Sequence, residues 1–260
     1  MQKFHPGIRR ILPSFRMMYS SIGYTHWAPP LMWGYLFKQI SMVRFDFVRH
    51  RTAPTYDYMK AIVDSFESQT SDSAFTKTSN ADGMFEQEGF DAASVFPMQG
   101  EYGRIQCSKP CSQTSVWDVK PFMEKALESF NPQTYKIEDP AGIPKCPKCG
   151  GAMFLLLRVD DSFLQSAVDV KRVVYDKWLK QVLKRVANEG KKLVVLEVGA
   201  GFNTPGVLRI PDERLAAVDG VQLVRVNTEY SEIPFTSHGV EVAEDANAVL
   251  EYIAQGLRND

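Results

Sequence analysis

The chain has 260 residues, of which 44% are hydrophobic and 23% charged, and its formal net charge at pH 7 is -1. This composition is typical of a globular protein with one large domain, or with a core domain and a small satellite. The near-neutral charge and the lack of a basic run argue against a nucleic-acid partner, and no apolar stretch approaches the ~18 residues that span a membrane.

Hydrophobic periodicity predicts helices and strands in alternation. An aromatic stretch with two prolines, residues 27–37, is interpreted as buried or as a binding surface. Helices are predicted over 55–67, 163–187 and 245–256, and strands over 74–78, 193–198, 221–226 and 239–242. On the long helix, Val170, Val174 and Val182 belong to a predicted buried stripe, and the strand LVVLEV is expected to be covered on both faces.

Strands that alternate with helices in this order predict an α/β fold with a parallel, doubly wound, Rossmann-like sheet. We assign residues 55–106 and 155–260 to this domain and residues 1–54 to a helical N-terminal segment. Residues 107–154 hold every cysteine of the chain and are interpreted as an inserted metal-binding module.

The cysteines form two close pairs, Cys107 with Cys111 and Cys146 with Cys149. A Cys-x3-Cys and a Cys-x2-Cys pair supply a closed tetrahedral site for structural zinc, with no open position for chemistry. Two disulfides and four unrelated thiols are the alternatives. The N-terminus is polar and does not resemble a secretory signal, so we expect a reducing intracellular compartment, the cytoplasm or the mitochondrial matrix.

Three polar turns each follow a predicted strand, at residues 78–83, 199–204 and 227–229. Ligands of parallel sheets bind at the carboxyl ends of the strands, so three such turns together favour a nucleotide-sized ligand. Gly199 and Gly201 would let a sugar or phosphate approach the backbone, and Asn227 or Glu229 would hold ribose hydroxyls. Each turn taken alone is equally well explained as an ordinary turn.

These turns resemble, in order, the motifs of the sirtuins. Thr-Ser-Asn-Ala-Asp-Gly at 78–83 resembles the family's Thr-Gln-Asn-Ile-Asp-Gly, and Gln99-Gly100 stands where sirtuins have a His-Gly pair. The cysteine pairs come next, then Gly-Ala-Gly at 199–201 in place of Gly-Thr-Ser and Asn-Thr-Glu at 227–229 in place of Asn-Leu-Glu. The resemblance covers the chain from about residue 55 to its end.

The chain is most similar to the class M branch, whose members are often encoded beside macrodomain proteins. Gln-Gly-Glu-Tyr-Gly at 99–103, Leu-Arg-Val-Asp-Asp-Ser-Phe at 157–163 and Asn-Thr-Pro-Gly at 203–206 carry this likeness. It implies NAD-dependent protein ADP-ribosylation by a Rossmann-like domain with a zinc ribbon. It also implies an acceptor protein, such as a lipoylated carrier protein, with a macrodomain protein as partner.

The resemblance also implies the site residues. Asn80 would position the reacting ribose or a water, and Asp82 would orient the nicotinamide amide or brace the loop. The expected NAD-binding residues are Thr78, Ser79, Gly199, Ala200, Gly201, Asn203, Asn227, Glu229 and Asp245. The charged run 158–161 replaces an apolar strand of the deacylases and is interpreted either as a solvated loop or as a contact to the acceptor or a ribose.

Gln99 distinguishes the possible reactions. Deacylating sirtuins use a histidine here as a general base, whereas an amide has no pKa near 7 and orients a hydroxyl only by hydrogen bonding. None of the four histidines lies near this motif. Cleavage of the glycosidic bond is therefore expected to survive while deacylation suffers.

The family's N-terminal Gly-Ala-Gly-x-Ser loop, which cradles the pyrophosphate, has no counterpart that we find in residues 1–54. We interpret this segment as truncated or remodelled, which removes phosphate contacts. A non-catalytic zinc protein is therefore the main alternative to a transferase. A deacylase and an NAD glycohydrolase are less favoured.

Overall fold

The computed structural model describes residues 27–46, 53–67, 74–234 and 236–259. Contacts between Cα atoms divide them into two compact units. The cysteine unit comprises 27–46, 80–84 and 99–168, and the sheet unit comprises 53–67, 74–79, 85–98, 169–234 and 236–259. Much of the predicted helical N-terminal segment, residues 1–54, lies outside the described ranges.

The helices and strands follow one another along both units. The helices are α1 (Pro29–Ile40), α2 (Thr55–Glu67), α3 (Met84–Gln87), α4 (Lys120–Leu127), α5 (Ser166–Glu189), α6 (Arg209–Leu215) and α7 (Ala246–Asn259). The strands are β1 (Thr76–Thr78), β2 (Val95–Pro97), β3 (Gly100–Cys107), β4 (Val116–Asp118), β5 (Phe130–Asn131), β6 (Lys136–Ile137), β7 (Met153–Leu157), β8 (Leu193–Val198), β9 (Val221–Val226) and β10 (Gly239–Val242). No helix in these described ranges combines the length and apolarity needed to cross a membrane.

Helix α1 forms much of the core of the cysteine unit. Pro29 and Pro30 occupy its first turn, where a missing N–H costs nothing, and the aromatic side chains of Trp33, Tyr35 and Phe37 are buried. This core also takes in side chains from β3, α4 and β7. The stretch 27–37 is thus largely core rather than a binding surface.

The cysteine unit also contains two antiparallel sheets. Strands β4, β3 and β7 form one sheet in that order, and β5 pairs with β6. On α1, Gly34 allows the β5–β6 turn to come close, since a Cβ there would lie 2.1 Å from the carbonyl oxygen of Tyr135.

The sheet unit confirms the predicted α/β class with parallel sheets. Strands β10, β9 and β8 form one parallel sheet, and β1 pairs in parallel with β2. The predicted bounds of β8, β9 and β10 are confirmed to the residue. The last part of α5 packs on β8 and β9 through Val182 and Val186, while α2 packs against α7.

Two burial predictions are wrong in part. Val170 is 68% exposed and Val174 is also exposed, because the hydrophobic cluster of α5 is built by the later side chains of the helix. Strand β8 is open at Val194, which is 51% exposed, so it is not covered on both faces along its whole length.

Charged groups are buried inside the sheet unit. Lys77 of β1 forms a 2.5 Å ion pair with Asp212 of α6. Arg225 of β9 is fully buried, with Nε 2.5 Å from Glu197 of β8 and Nη1 2.8 Å from Glu213 of α6. Burial opposes the charge on Arg225, but the hydrogen bonds to the two carboxylates outweigh it and raise the pKa of the guanidinium.

We expect Arg225→Met to destabilise the chain by about 3–5 kcal/mol, because it leaves buried carboxylates without their cation. Urea unfolding measures the change. The matched variant removes both charges (Arg225→Met with Glu197→Leu) and should recover a large part of the loss. A loss below about 1 kcal/mol in the single variant, the range of an exposed pair, would show that the pair is not the buried contact described.

Candidate active site and metal centre

The four cysteines converge at one end of the cysteine unit. Cys107 is the last residue of β3, Cys111 lies in the loop before β4, and Cys146 and Cys149 precede β7. The Sγ atoms of Cys107 and Cys149 are 3.7 Å apart, those of Cys111 and Cys146 are 3.8 Å apart, and all four lie within 4.8 Å of one another. The predicted pairs are therefore brought together as a single cluster.

The turn that carries the second cysteine pair is shaped by glycine. Gly150 has a φ of 70° and donates its N–H to the carbonyl oxygen of Cys146 at 2.8 Å. Burial disfavours the Cys146 thiolate, but the backbone N–H groups of Cys149 and Lys148 outweigh burial and lower the pKa of this thiol to about 7. Burial and the neighbouring sulfurs of Cys146 and Cys149 raise the pKa of the Cys111 thiol to about 11.

This arrangement fits zinc. With a Zn–S distance of about 2.3 Å, the sulfurs of a tetrahedral site lie about 3.8 Å apart, which the two cross-pair distances match. Zinc would convert the thiols to thiolates, for which the turn already supplies N–H donors. In the described part of the chain, these cysteines are the one group of three or more His, Cys, Asp or Glu residues whose ligand atoms come close enough to hold a metal.

We expect the purified chain to contain about one zinc ion and to protect its thiols from a colorimetric disulfide reagent. After chelation, all four thiols should react, and the cysteine unit should lose its folded structure by circular dichroism. Thiols that react before chelation would indicate four unrelated cysteines. Thiols that appear only after a reducing agent would indicate disulfides.

Residues 80–84, which include Asn80 and Asp82 of the predicted turn 78–83, belong to the cysteine unit and are held against β3. The N–H of Tyr102 donates to the carbonyl oxygen of Ala81 at 2.6 Å. Asn80 is exposed, whereas the Asp82 carboxylate accepts the N–H of Met84 at 3.0 Å and so caps α3. Bracing of the loop, one of the two roles expected for Asp82, agrees with this contact.

An arginine that the sequence analysis did not identify also fixes this loop. The Nη1 atom of Arg44 donates to the carbonyl oxygen of Asp82 at 3.3 Å. A Cβ at Gly83 would lie 1.7 Å from Nη1, and one at Gly103 would lie 2.7 Å from the guanidinium carbon, so both glycines make room for Arg44. Gly83 and Gly103 are the sequence signal for this contact. Arg44, which lies beside both glycines, is distant from them along the chain, so the sequence alone does not connect the three residues.

Gln99 is half-buried where β3 begins. Gly100 follows it with a φ of 88°, and a Cβ there would lie 1.9 Å from the carbonyl oxygen of Leu156. The N–H of Arg158 donates to the Gln99 carbonyl oxygen at 3.0 Å. The charged run thus begins beside Gln99, while Asp160 accepts the N–H of Ser162 at 2.8 Å and closes a turn.

Asp82 predicts a pH dependence of stability. Burial raises the pKa of its carboxyl, and the hydrogen bond from Met84 and the charge of Arg44 only partly offset this. Because the folded pKa lies above the unfolded one, the stability that Asp82 contributes is present below pH ~4 and is lost as the pH rises through the folded value. Asp82→Asn keeps a neutral acceptor and should remove this loss.

The measurement is the urea unfolding free energy of wild type and Asp82→Asn, from about pH 4, near the ordinary pKa of an aspartate, up to about pH 8. We expect the wild type to lose stability relative to the variant as the pH rises. Asp161→Asn, an exposed carboxyl in the same unit, is the matched control. Parallel curves for wild type and Asp82→Asn would contradict the predicted direction.

The sheet unit carries the expected NAD-binding residues. Thr78 is buried at the end of β1, and its carbonyl oxygen accepts the N–H of Met98 at 2.9 Å. Gly199 follows β8 with a φ of 70°, in the left-handed region that favours glycine, and its N–H donates to the carbonyl oxygen of Val226 at 3.0 Å. The loops after β8 and β9 are therefore neighbours.

Asn227 joins these two loops. Its Nδ2 atom donates to the carbonyl oxygen of Ala200 at 3.1 Å, and its Oδ1 atom accepts the N–H groups of Glu229 and Tyr230 at 3.1 and 3.2 Å. The amide thus shapes the site with both of its polar atoms, while the Glu229 carboxylate is exposed. The roles of Asn227 and Glu229 as ribose ligands stay predictions.

The other residues predicted to bind NAD differ in burial and in the contacts that they make. Ser79 is half-buried after β1, Gly201 is half-buried in the loop after β8, and Asn203 is exposed in the same loop. Asp245 caps α7, because its Oδ1 atom accepts the N–H groups of Asn247 and Ala248 at 2.9 and 3.3 Å. Their roles as NAD ligands stay predictions.

The chain is similar in sequence to two ADP-ribose enzymes. It is 35% identical over 212 residues to a probable bifunctional ADP-ribose hydrolase/ADP-ribosyltransferase of Fusarium oxysporum f. sp. cubense, a match that covers 80% of this chain and 34% of the relative. It is 26% identical over 192 residues to a protein ADP-ribosyltransferase of Staphylococcus aureus (strain Mu50 / ATCC 700699), with 70% and 56% coverage. The chain thus spans about a third and about half of these relatives.

A solved structure described as "Structural Basis for the Mechanism and Regulation of Sir2 Enzymes" aligns with a TM-score of 0.49 at 16% identity, over 86% of this chain and 78% of that chain. No family model matches the chain. The sirtuin-like character is indicated by the motifs of the sequence, and the two sequence relatives carry the names of ADP-ribose enzymes. The class M assignment stays a prediction.

Proposed function

We propose that the chain is a sirtuin-type, NAD-dependent protein ADP-ribosyltransferase. The observation that carries the proposal is the sequence similarity to two ADP-ribose enzymes over most of this chain. Gln99 supports it on chemical grounds, because an amide at this position orients a hydroxyl but does not take up its proton. The loops after β8 and β9 provide the glycine turn and the exposed carboxylate expected of a nucleotide site.

In the proposed reaction, the bond between the nicotinamide ring and the ribose anomeric carbon breaks, and nicotinamide leaves with the bonding electrons. A nucleophile of the acceptor protein forms the new bond to that carbon and releases a proton to solvent. Asn80 hydrogen-bonds and positions the ribose, and Asp82 holds the loop that carries Asn80. Both act through geometry and fixed dipoles rather than by titration.

Zinc has a structural role in this proposal. A closed four-thiolate site leaves no position for substrate, so zinc binding would stabilise the turn between β3 and β4 and the one before β7. We propose a reducing intracellular compartment as the location, because the thiols must remain reduced to bind metal. As acceptor we propose a protein, with a lipoylated carrier protein as the first candidate and a macrodomain protein as partner.

Two other reactions stay in competition. The name of the Fusarium oxysporum relative includes ADP-ribose hydrolysis, and the chain matches a third of it, so removal of ADP-ribose is the second candidate. An NAD glycohydrolase would use water in place of the acceptor. A non-catalytic zinc protein would release no nicotinamide, and a deacylase would require a base that Gln99 does not supply.

The test is nicotinamide release from NAD by the zinc-loaded chain, beside Asn80→Ala. We expect the variant to lower release by about 100-fold, because the ribose is no longer held for reaction. Asn188→Ala, an exposed asparagine at the end of α5, should stay within about twofold of wild type, as a surface change does. A chain that binds zinc, folds and releases no nicotinamide would overturn the transferase proposal.

The fate of the ADP-ribose separates the competing reactions. NAD labelled in its adenosine part should transfer label to a lipoylated carrier protein. Free labelled ADP-ribose with or without the carrier would identify a glycohydrolase. Loss of label from a pre-modified carrier, with no nicotinamide release from NAD, would identify the hydrolase.

A further inference from the structure

The guanidinium of Arg209 ties together the loops after β8 and β9. Its side chain is 4% exposed. Nη1 donates to the carbonyl oxygen of Tyr230 at 2.7 Å and to that of Ala200 at 3.3 Å, and Nη2 donates to the carbonyl oxygen of Glu232 at 2.8 Å. One buried side chain therefore contacts the backbone of both loops.

Arg209 is itself held from several sides. It is the first residue of α6, its Nε lies 3.6 Å from the Glu213 carboxylate, and its guanidinium lies 4.3 Å from the centre of the Phe202 ring. That ring packs edge-on against Tyr230, with 5.3 Å between centroids. The buried Arg225 donates at 2.6 Å to the same Glu232 carbonyl oxygen. The arginine is thus part of a rigid network rather than a mobile surface group.

The loops need such a contact because they have little regular structure of their own. Residues 227–234 lie outside helices and strands, and so do residues 199–208. Arginine is the side chain with enough fixed donors to bond three carbonyl oxygens at once. Arg209 is too buried to serve as a surface contact for a dinucleotide, so any effect on binding passes through the loops.

We propose that Arg209 is a positioning residue for NAD: it fixes the spacing between the glycine turn at 199–201 and the Glu229 carboxylate. The inference rests on the proposed function. Loss of the guanidinium removes the common donor of the Ala200 and Tyr230 carbonyl oxygens and leaves Asn227 as the side chain that joins the two loops, so their spacing is less tightly fixed. The consequence falls on binding of NAD rather than on the bond-breaking step, because Asn80 and Gln99 belong to the other unit.

The experiment compares Arg209→Gln with a core variant of the same unit. Of Val182→Ala and Leu223→Ala, the control is the one whose urea midpoint is closer to that of Arg209→Gln. Arg209→Gln should raise both the Kd and the KM for NAD about tenfold with less than about a twofold change in kcat. The core variant should bind NAD as wild type does. Arg209→Lys keeps the charge but not the three-way fork and should fall between wild type and Arg209→Gln.

A second readout does not depend on NAD. Hydrogen exchange at the amides of Glu229 and Tyr230, which donate to Asn227, should speed up in Arg209→Gln and not in the core variant. Unchanged NAD binding in Arg209→Gln, or an equal loss in the core variant, would overturn the positioning role. A wild-type chain that binds no NAD would overturn the proposed function and the NAD role with it, and exchange rates would then show whether the loop contact exists on its own.

Discussion

A buried cation surrounded by carboxylates and carbonyl oxygens is the contact on which the sheet unit depends. Arg225 projects from β9 and reaches Glu197 on the neighbouring strand, Glu213 on α6 and the carbonyl oxygen of Glu232. A charge so far from water is tolerated only when nearly every donor is used. One guanidinium therefore holds together two neighbouring strands, the helix α6 and the loop after β9.

In the cysteine unit, the irregular segments of the backbone are fixed by different contacts. Its turns converge on four sulfurs instead of on a cation, and Gly150 lets the backbone N–H groups face them. In the same unit, Arg44 occupies space left by Gly83 and Gly103 and holds the loop that carries Asn80. In both units, the positions of the loops are set by polar groups whose burial without a partner would cost free energy. Apolar side chains pack between these contacts.

The candidate chemistry is consistent with such rigid loops. Bond cleavage at an anomeric carbon needs a held ribose and fixed dipoles more than it needs a proton acceptor. Gln99 and Asn80 have neutral amide side chains, which are groups of this kind. Asn227 uses both polar atoms of its amide to join two loops. The similarity to ADP-ribose enzymes and the nature of these side chains are the two grounds on which the transferase reaction is proposed.

Local patterns in the sequence were enough to predict β8, β9 and β10 and the pairing of four cysteines, because hydrophobic period and ligand spacing are properties of neighbouring residues. The sequence also located the strand-end turns. It did not reveal that Asp82 caps a helix, that Val170 and Val194 are exposed, or that Arg44, Arg209 and Arg225 hold the loops. Those outcomes were decided by tertiary structure, since a charged side chain is buried only when partners distant along the chain arrive to satisfy it.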